Sequence, residues 1–283
     1  NGFLTLFPSD ASRPGVSNSN FLANEVLNNA FTVGIGASDG AFKVFVSTTT
    51  HVVIDINGFY APPATGGLFF HPLPKPIRLL ETRQGLSGCQ TPGAALQASS
   101  TRLQTGVLTC DGVTIPTGAQ ALVGNATTTN SQSNGFLTLF PADASRPFTA
   151  SSNFVAGINR NAPFTVGLSL NGEFSIFTAA TTDLVIDVMG YFSTQANDVN
   201  GQGLLFTSLG SPLRLLDTRA GQPGCFNTGA PMTGGTVFTQ DTQVSCTNVT
   251  ASARGLVGNV SALNATANGF LTFWPSNAAQ PTV

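Results

Sequence analysis

Charged residues are scarce in this sequence. They make up 8% of the 283 residues and leave a net charge of −2, whereas about a quarter of the residues in a typical soluble protein are charged. The chain therefore has no basic surface that could attract nucleic acid or an anionic membrane. Low charge combined with many Ser, Thr, Asn and Gly residues is typical of a static extracellular surface.

Long apolar runs and catalytic motifs are also missing. No apolar run reaches the roughly 18 residues that a membrane-spanning helix needs, so we expect no membrane span. The sequence contains no P-loop, no HExxH motif and no GxGxxG motif after a strand. Its two histidines, His51 and His71, are too few for a recurring triad or metal centre. We therefore expect no enzymatic activity, no cofactor and no metal site.

Tyrosine and tryptophan are rare, whereas phenylalanine is abundant. The chain has 22 Phe residues against 2 Tyr and 1 Trp. Sugar-binding platforms usually need the broad face and polar edge of Trp or Tyr. We expect the phenylalanines to pack in a core rather than to bind a sugar.

The main positive feature of the sequence is an internal repeat. NGFLTLFP at 1–8 returns unchanged at 134–141 and returns as NGFLTFWP at 268–275. Three other pairs of segments are separated by a similar number of residues. They are PIRLLETR at 76–83 with PLRLLDTR at 212–219, ALVGNAT at 121–127 with GLVGNVS at 255–261, and HVVIDINGFY at 51–60 with DLVIDVMGYF at 183–192. Self-similarity of this kind means that one structural unit has been copied.

The register of the repeats divides the chain into three parts. Residues 1–61 are the C-terminal half of one repeat, 66–193 are a complete repeat, and 200–283 are the N-terminal half of a following repeat. Two explanations fit: the sequence is a window onto a longer tandem chain, or a neighbouring copy completes each half repeat. We favour the first, because 268–283 duplicate 1–16 and would compete with them for one place.

The four cysteines form two pairs with the same spacing. Cys89 and Cys110 correspond to Cys225 and Cys246, and the members of each pair are 21 residues apart. We predict the disulfides Cys89–Cys110 and Cys225–Cys246, each worth about 3 kcal/mol in the chain-entropy model. The alternative, unpaired buried thiols, does not explain two matched pairs. Disulfides favour an extracellular or cell-surface location.

Strand patterns occur throughout the chain, and no long stretch has the apolar spacing of a helix. Val52, Ile54 and Ile56 share one face of a predicted strand at 52–58, and residues 42–47 alternate in the same way. Such runs, bounded by Gly, Pro, Asn and Ser, indicate antiparallel strands. We predict an all-β chain of tandem, disulfide-bonded antiparallel β-sandwich domains of about 130 residues, with a partly closed barrel as the alternative.

The charged residues that recur in the repeat are the candidate site residues. These are Arg78 with Arg214, Glu81 with Asp217, Arg83 with Arg219, and Asp187 with Asp55. One interpretation makes Glu81 and Asp187 a catalytic carboxylate pair. We favour structural ion pairs, because Asp187 lies between apolar residues and a buried carboxylate needs a cation or several donors. We predict that Arg83 or Arg78 pairs with Asp187 in the complete repeat.

Four sequons could carry N-linked sugar. Their asparagines are Asn125, Asn248, Asn259 and Asn264. Asn125 and Asn259 occupy one position of the repeat inside a predicted strand, which favours a structural amide at that position.

The order of these motifs resembles a repeat found in large secreted and cell-surface proteins of bacteria. The matching elements are PIRLLETR at 76–83, the cysteine pair, NGFLTLFP at 134–141 and VIDVMGYF at 185–192. In those proteins the repeat is strung in tandem or appended to cell-wall hydrolases. The resemblance implies an extracellular all-β domain and transfers no catalytic residue.

A structural function fits these observations best. We expect an extracellular protein that forms a filament or surface fibre by joining β-domains end to end, with further copies of itself as partners. A refinement is strand sharing, in which residues 1–60 of one copy complete residues 200–267 of the next. The alternative is an adhesive module that binds cell-wall or surface glycans, and a hydrolase is a third, less favoured interpretation.

Overall fold

The computed structural model describes the chain except residues 1, 16, 26, 28, 57, 60–66, 207–212, 248, 259, 261, 263, 264, 268 and 282–283. The described residues form strands, turns and irregular segments, and none of them is helical. Two disulfides are present. The prediction of an all-β, disulfide-bonded chain is therefore confirmed.

Seventeen strands follow one another along the described residues. They are β1 (Gly2–Pro8), β2 (Ser19–Phe21), β3 (Phe42–Val46), β4 (Phe69–Glu81), β5 (Ser100–Thr105), β6 (Leu108–Cys110), β7 (Val113–Ile115), β8 (Ala119–Thr129), β9 (Gly135–Pro141), β10 (Ser152–Phe154), β11 (Arg160–Gly167), β12 (Glu173–Thr178), β13 (Asp183–Ser193), β14 (Asn197–Asp198), β15 (Gly201–Gln202), β16 (Leu216–Asp217) and β17 (Phe226–Asn227).

Two four-stranded antiparallel sheets occupy the region of the complete repeat. One has the order β10-β9-β12-β5, and the other has the order β11-β8-β13-β4. In the second sheet β13 bonds to β8 on one side and to β4 on the other. The near-continuous apolar sequence of β13 suits this inner position, because both faces of the strand are largely buried.

Apolar side chains from both sheets form one core cluster. Leu122 and Ile186 come from one sheet, Leu137 and Ile176 come from the other, and all four are inaccessible to solvent. Burial alternates along β8, where every second side chain from Leu122 to Thr128 is buried, as the period of a strand requires. This apolar burial is the main force that holds the two sheets together.

The first fifty residues repeat part of this architecture. The sheet order β2-β1-β3 matches the order β10-β9-β12 of the corresponding strands in the complete repeat. Leu6 lies opposite Val44, as Leu139 lies opposite Ile176. The same sequence therefore builds the same local sheet in both places.

The strand predicted at 52–58 is not formed among the described residues 51–56, 58 and 59. Its counterpart in the complete repeat is β13, whose neighbours β4 and β8 both belong to the N-terminal half of a repeat. This prediction was wrong because alternating apolar residues express a preference for a strand, whereas a strand also needs partners for its backbone N–H and C=O groups.

The chain divides into two compact units. The first contains β1 to β3 together with β16 and β17, and the second contains β4 to β15. The first unit comprises Asn1–Ala23, Phe31–Thr50 and Thr207–Ala265, and the second comprises Asn24–Ala30, His51–Phe206 and Thr266–Val283. The repeat boundaries at 1–61, 66–193 and 200–283 stay predictions.

Candidate functional site

The recurring charges of the complete repeat meet across β4 and β13. Arg78 on β4 lies opposite Asp187 on β13 in the sheet register. The Arg78 guanidinium donates to both carboxylate oxygens of Asp187, with 3.0 Å from Nε to Oδ1 and 3.4 Å from Nη2 to Oδ2. The structure thus pairs Asp187 with Arg78, one of the two arginines considered from the sequence. This two-point contact fixes the position of β13 against β4.

Arg83, the other arginine considered, contacts Glu81 instead of Asp187. Arg83 Nη2 lies 2.6 Å from Glu81 Oε2, and Arg83 Nε and its backbone N–H both donate to Oε1, at 2.8 Å and 3.1 Å. Arg78 Nη1 lies 3.4 Å from the same carboxylate. Glu81 is fully buried, so these donors replace the water that it loses.

The two carboxylates respond differently to burial. Burial alone raises the pKa of Glu81, but its bonds to Arg83 and the charges of Arg83 and Arg78 outweigh that effect, so the net pKa is lowered. Burial raises the pKa of Asp187, and Arg78 offsets only part of that rise. Guanidinium groups engage both carboxylates. The Arg78–Asp187 contact joins β4 to β13, and the contacts of Glu81 fix the end of β4.

Hydroxyl and amide groups extend this cluster along the start of β13. Thr82 Oγ1 donates to Asp183 Oδ1 at 2.9 Å, and the Leu184 backbone N–H donates to the same Thr82 hydroxyl at 2.8 Å. Asn130 Nδ2 donates to the other oxygen of Asp183 at 2.9 Å. The end of β4 is therefore tied to β13 by polar contacts at several successive positions.

The following half repeat contains the N-terminal part of the same cluster. Arg219 Nη2 and Arg214 Nη1 lie 2.7 Å and 3.0 Å from Asp217 Oδ2. Hydrogen bonds from the Arg219 side chain and backbone lower the pKa of Asp217 far below its usual value. Asp55, the counterpart of Asp187, is exposed, and no ion pair to it occurs among the described residues.

Each predicted disulfide begins a few residues after an arginine of the cluster, Cys89 after Arg83 and Cys225 after Arg219. Cys89 bonds to Cys110 and Cys225 bonds to Cys246, with Cα–Cα distances of 5.7 Å and 5.9 Å. The Cys89 backbone N–H donates to the Arg78 carbonyl at 2.8 Å, and the Cys225 N–H donates to the Arg214 carbonyl at the same distance. The turn that returns the chain to the arginine strand is therefore the same in both copies.

A second polar cluster was missed by the sequence analysis. His71 is fully buried and stacks on Tyr191, with ring centroids 5.1 Å apart and an interplanar angle of 6°. His71 Nε2 lies 2.8 Å from the Gln195 carbonyl, and Nδ1 lies 3.4 Å from Asp198 Oδ1. The Tyr191 hydroxyl donates to Asp198 Oδ2 at 2.5 Å and accepts from Asn200 Nδ2 at 2.9 Å. Burial raises the pKa of Tyr191, so its hydroxyl stays protonated.

The repeat comparison gave no signal for this cluster. His71 aligns with Thr207, and Asp198 and Asn200 lie in the segment 193–203, whose composition resembles a linker. That segment instead forms the short antiparallel pair β14–β15. His71 and Leu73 lie on the same face of β4, and both are buried. The alternation of this strand is the sequence signal that could have indicated a buried His71.

Asn125 is the only sequon asparagine among the residues that the structure describes. It lies on β8, half-buried, opposite Pro163 on β11 and Asp187 on β13. A position between two neighbouring strands fits the structural role that we expected for this amide. Asn248, Asn259 and Asn264 lie outside the described residues.

Comparisons of the chain with models of known protein families and with curated proteins give no match. Within the described ranges, no group of three or more His, Cys, Asp or Glu residues has a metal-binding arrangement. None of the described segments forms a helix with the length and apolar character needed to cross a membrane.

Proposed function

We propose that this chain is a structural protein that builds an extracellular filament or cell-surface fibre by joining β-domains end to end. The observation that carries the proposal is that the sequence repeats itself, and that the cysteine pair and the arginine–carboxylate motif recur at the same places in the repeat. Modules copied in this way, and linked in one orientation, extend a chain in one direction without closing it.

The chemistry of the candidate site supports a mechanical role. Arg78 pairs with Asp187 between β4 and β13, and Glu81 at the end of β4 pairs with Arg78 and Arg83. A disulfide closes next to them and stabilises the module by constraining its unfolded state. We infer that each module is a β-sandwich and that the modules follow one another in tandem. We also infer that the two disulfides reflect an oxidising, extracellular environment.

The resemblance to repeats of secreted bacterial proteins supports the same proposal. Those repeats occur in tandem in large cell-surface proteins, and the motifs that match cover the RLLETR segment at 78–83, the cysteine pair and the VIDVMGYF segment at 185–192. In a surface fibre, each further copy of such a repeat makes the fibre longer. The low charge of this chain also suits packing of one copy against another.

Electron microscopy of the full-length chain tests this proposal. We expect filaments or curved fibres with an axial period set by one module, and light scattering after gel filtration should give masses that rise with protein concentration. Dispersed monomers at every concentration would contradict the proposal. A parallel incubation with peptidoglycan and with surface polysaccharide tests the glycan-binding alternative, which predicts retention at moderate salt by the monomer itself.

A further inference from the structure

We propose that copies of this chain join by strand exchange, in which residues 52–56, Gly58 and Phe59 of one copy enter the sheet of the next as its central strand. We call these residues the donor segment. They align with β13 residue by residue, and the partner is a second copy of the same chain. The inference rests on the proposed function and specifies how the copies would be joined.

The donor segment exposes the side chains that its counterpart buries. Val53 is 86% exposed and Phe59 is 89% exposed, whereas the equivalent Val185 and Tyr191 are 4% and 0% exposed. Ile56 is likewise exposed where Val188 is fully buried. A run of apolar side chains left in water is unfavourable, so the segment gains free energy when a sheet covers it.

The two segments that would receive this strand lie in 200–283. We call 213–217 and 253–258 the acceptor segments, since they align with β4 and β8, the two neighbours of β13. Leu256 is 57% exposed, whereas its counterpart Leu122 is fully buried. Apart from β16, the acceptor segments form no strand in the described residues, so they have backbone groups available for a new ladder.

Charge and register agree with this pairing. In the complete repeat Asp187 lies opposite Arg78, and the counterparts of these residues are Asp55 in the donor segment and Arg214 in the acceptor segments. The Arg214 side chain is 37% exposed where that of Arg78 is 21% exposed. Insertion of the donor segment in the register of β13 would bring Asp55 of one copy to Arg214 of the next and complete the cluster.

Two repeated glycines provide independent support. A Cβ on Gly124 would lie 2.2 Å from the Asp187 carbonyl oxygen, and a Cβ on Gly190 would lie 2.5 Å from the Phe70 ring, so both positions require glycine in the complete sheet. Their counterparts Gly258 and Gly58 have no atom within 4 Å of such a Cβ. Insertion of the donor segment between the acceptor segments would give both glycines the close contacts that their counterparts have.

Two valine substitutions test the inference on the full-length chain. Gly58→Val should inactivate the donor segment, and Gly258→Val should inactivate an acceptor segment, while neither contacts anything in the isolated copy. Gly234→Val is the matched control, because Gly234 is also open, lies outside both acceptor segments, and has the exposed Ala98 as its counterpart in the complete repeat. Unchanged thermal unfolding of the complete repeat, read by circular dichroism, shows that each variant is folded.

We expect the control to assemble as the unsubstituted chain does, and each of the other two variants alone to stay monomeric. A one-to-one mixture of Gly58→Val and Gly258→Val should give a dimer of twice the monomer mass and stop there, because only one donor and one acceptor remain intact. If the unsubstituted chain assembles and both variants assemble equally well, strand exchange is wrong and the fibre proposal stands. If the unsubstituted chain stays monomeric at every concentration, both fail.

Discussion

Arg78 and Asp187 are 109 residues apart in the sequence, and Nε of the arginine lies 3.0 Å from Oδ1 of the aspartate. The pair joins the first long strand of the complete repeat to its last one. Between them the chain makes nearly all of the two four-stranded sheets. The contact therefore closes the module, since it joins the two ends of the segment that contains these sheets.

Removal of one partner of this ion pair should destabilise the complete repeat. We expect Asp187→Ala to lower its free energy of unfolding by about 2–3 kcal/mol, because it leaves a partly buried guanidinium without its main acceptor. Guanidinium unfolding followed by circular dichroism measures the loss. Lys75→Ala is the control, since Lys75 pairs with the exposed Asp111, and the substitution should cost less than about 1 kcal/mol. Equal losses in the two variants would contradict the role of the Arg78–Asp187 pair.

The two carboxylates of the cluster should contribute to acid sensitivity with opposite signs. The pKa of Glu81 is lowered in the fold, so its stabilisation is complete above the unfolded value of about 4.3 and is lost as the pH falls below it. The pKa of Asp187 is raised, so its contribution is favourable below the unfolded value of about 3.9 and is lost as the pH rises through the folded pKa.

Melting temperatures between pH 7 and pH 3 measure this difference. The gap in stability between the unsubstituted chain and Glu81→Gln should narrow as the pH falls. The gap between the unsubstituted chain and Asp187→Asn should widen over the same range. Parallel pH profiles for the two variants would show that the opposite pKa shifts do not govern the stability of this cluster.

The Cys89–Cys110 bond should stabilise the complete repeat specifically. We expect the double substitution Cys89→Ser with Cys110→Ser to cost about 3 kcal/mol, the chain-entropy value for a loop of this length. Cys225→Ser with Cys246→Ser is the matched control, because the same loop length is opened in the other compact unit. The main unfolding transition of β4 to β13 should respond to the first double substitution and not to the second.

The features that recur in the repeat were the ones that could be predicted best from the sequence. The cysteine pairs and the repeated arginines and acids were visible because two copies could be compared, and the structure places Arg78 at Asp187 and closes both disulfides. The strand predicted at 52–58 shows where a repeated pattern is not enough. Its alternation equals that of β13, but strand formation depends on two neighbours that lie elsewhere in the sequence.

The cluster around His71 could not be predicted for a related reason. His71, Asp198 and Asn200 have no counterparts with the same chemistry in the other repeats. They meet because residues 193–203 fold back on the module as β14 and β15. Nothing in the composition of such a segment distinguishes a docked hairpin from a free linker, since both are rich in Gly and small polar residues.

Substitution of Tyr191 tests whether that docked hairpin stabilises the module. Tyr191→Phe keeps the ring that stacks on His71 and removes the hydroxyl shared by Asp198 and Asn200. We expect a loss of about 1–2 kcal/mol in the free energy of unfolding, because the partly buried Asp198 carboxylate loses the tyrosine as a donor.

Thr109→Val is the control for this substitution, since it also removes one hydroxyl, from an exposed bond to Thr114, and should change stability by less than about 0.5 kcal/mol. Proteolysis of the native chain within 193–203 gives a second readout, because release of Asp198 and Asn200 from the tyrosine should expose this segment. If Tyr191→Phe behaves like Thr109→Val in both measurements, the hairpin adds no stability and 193–203 acts as the linker that its composition suggested. A loss confined to Tyr191→Phe, with faster cleavage, would make the segment part of the module, and the spacing between successive modules would then be set by a folded element.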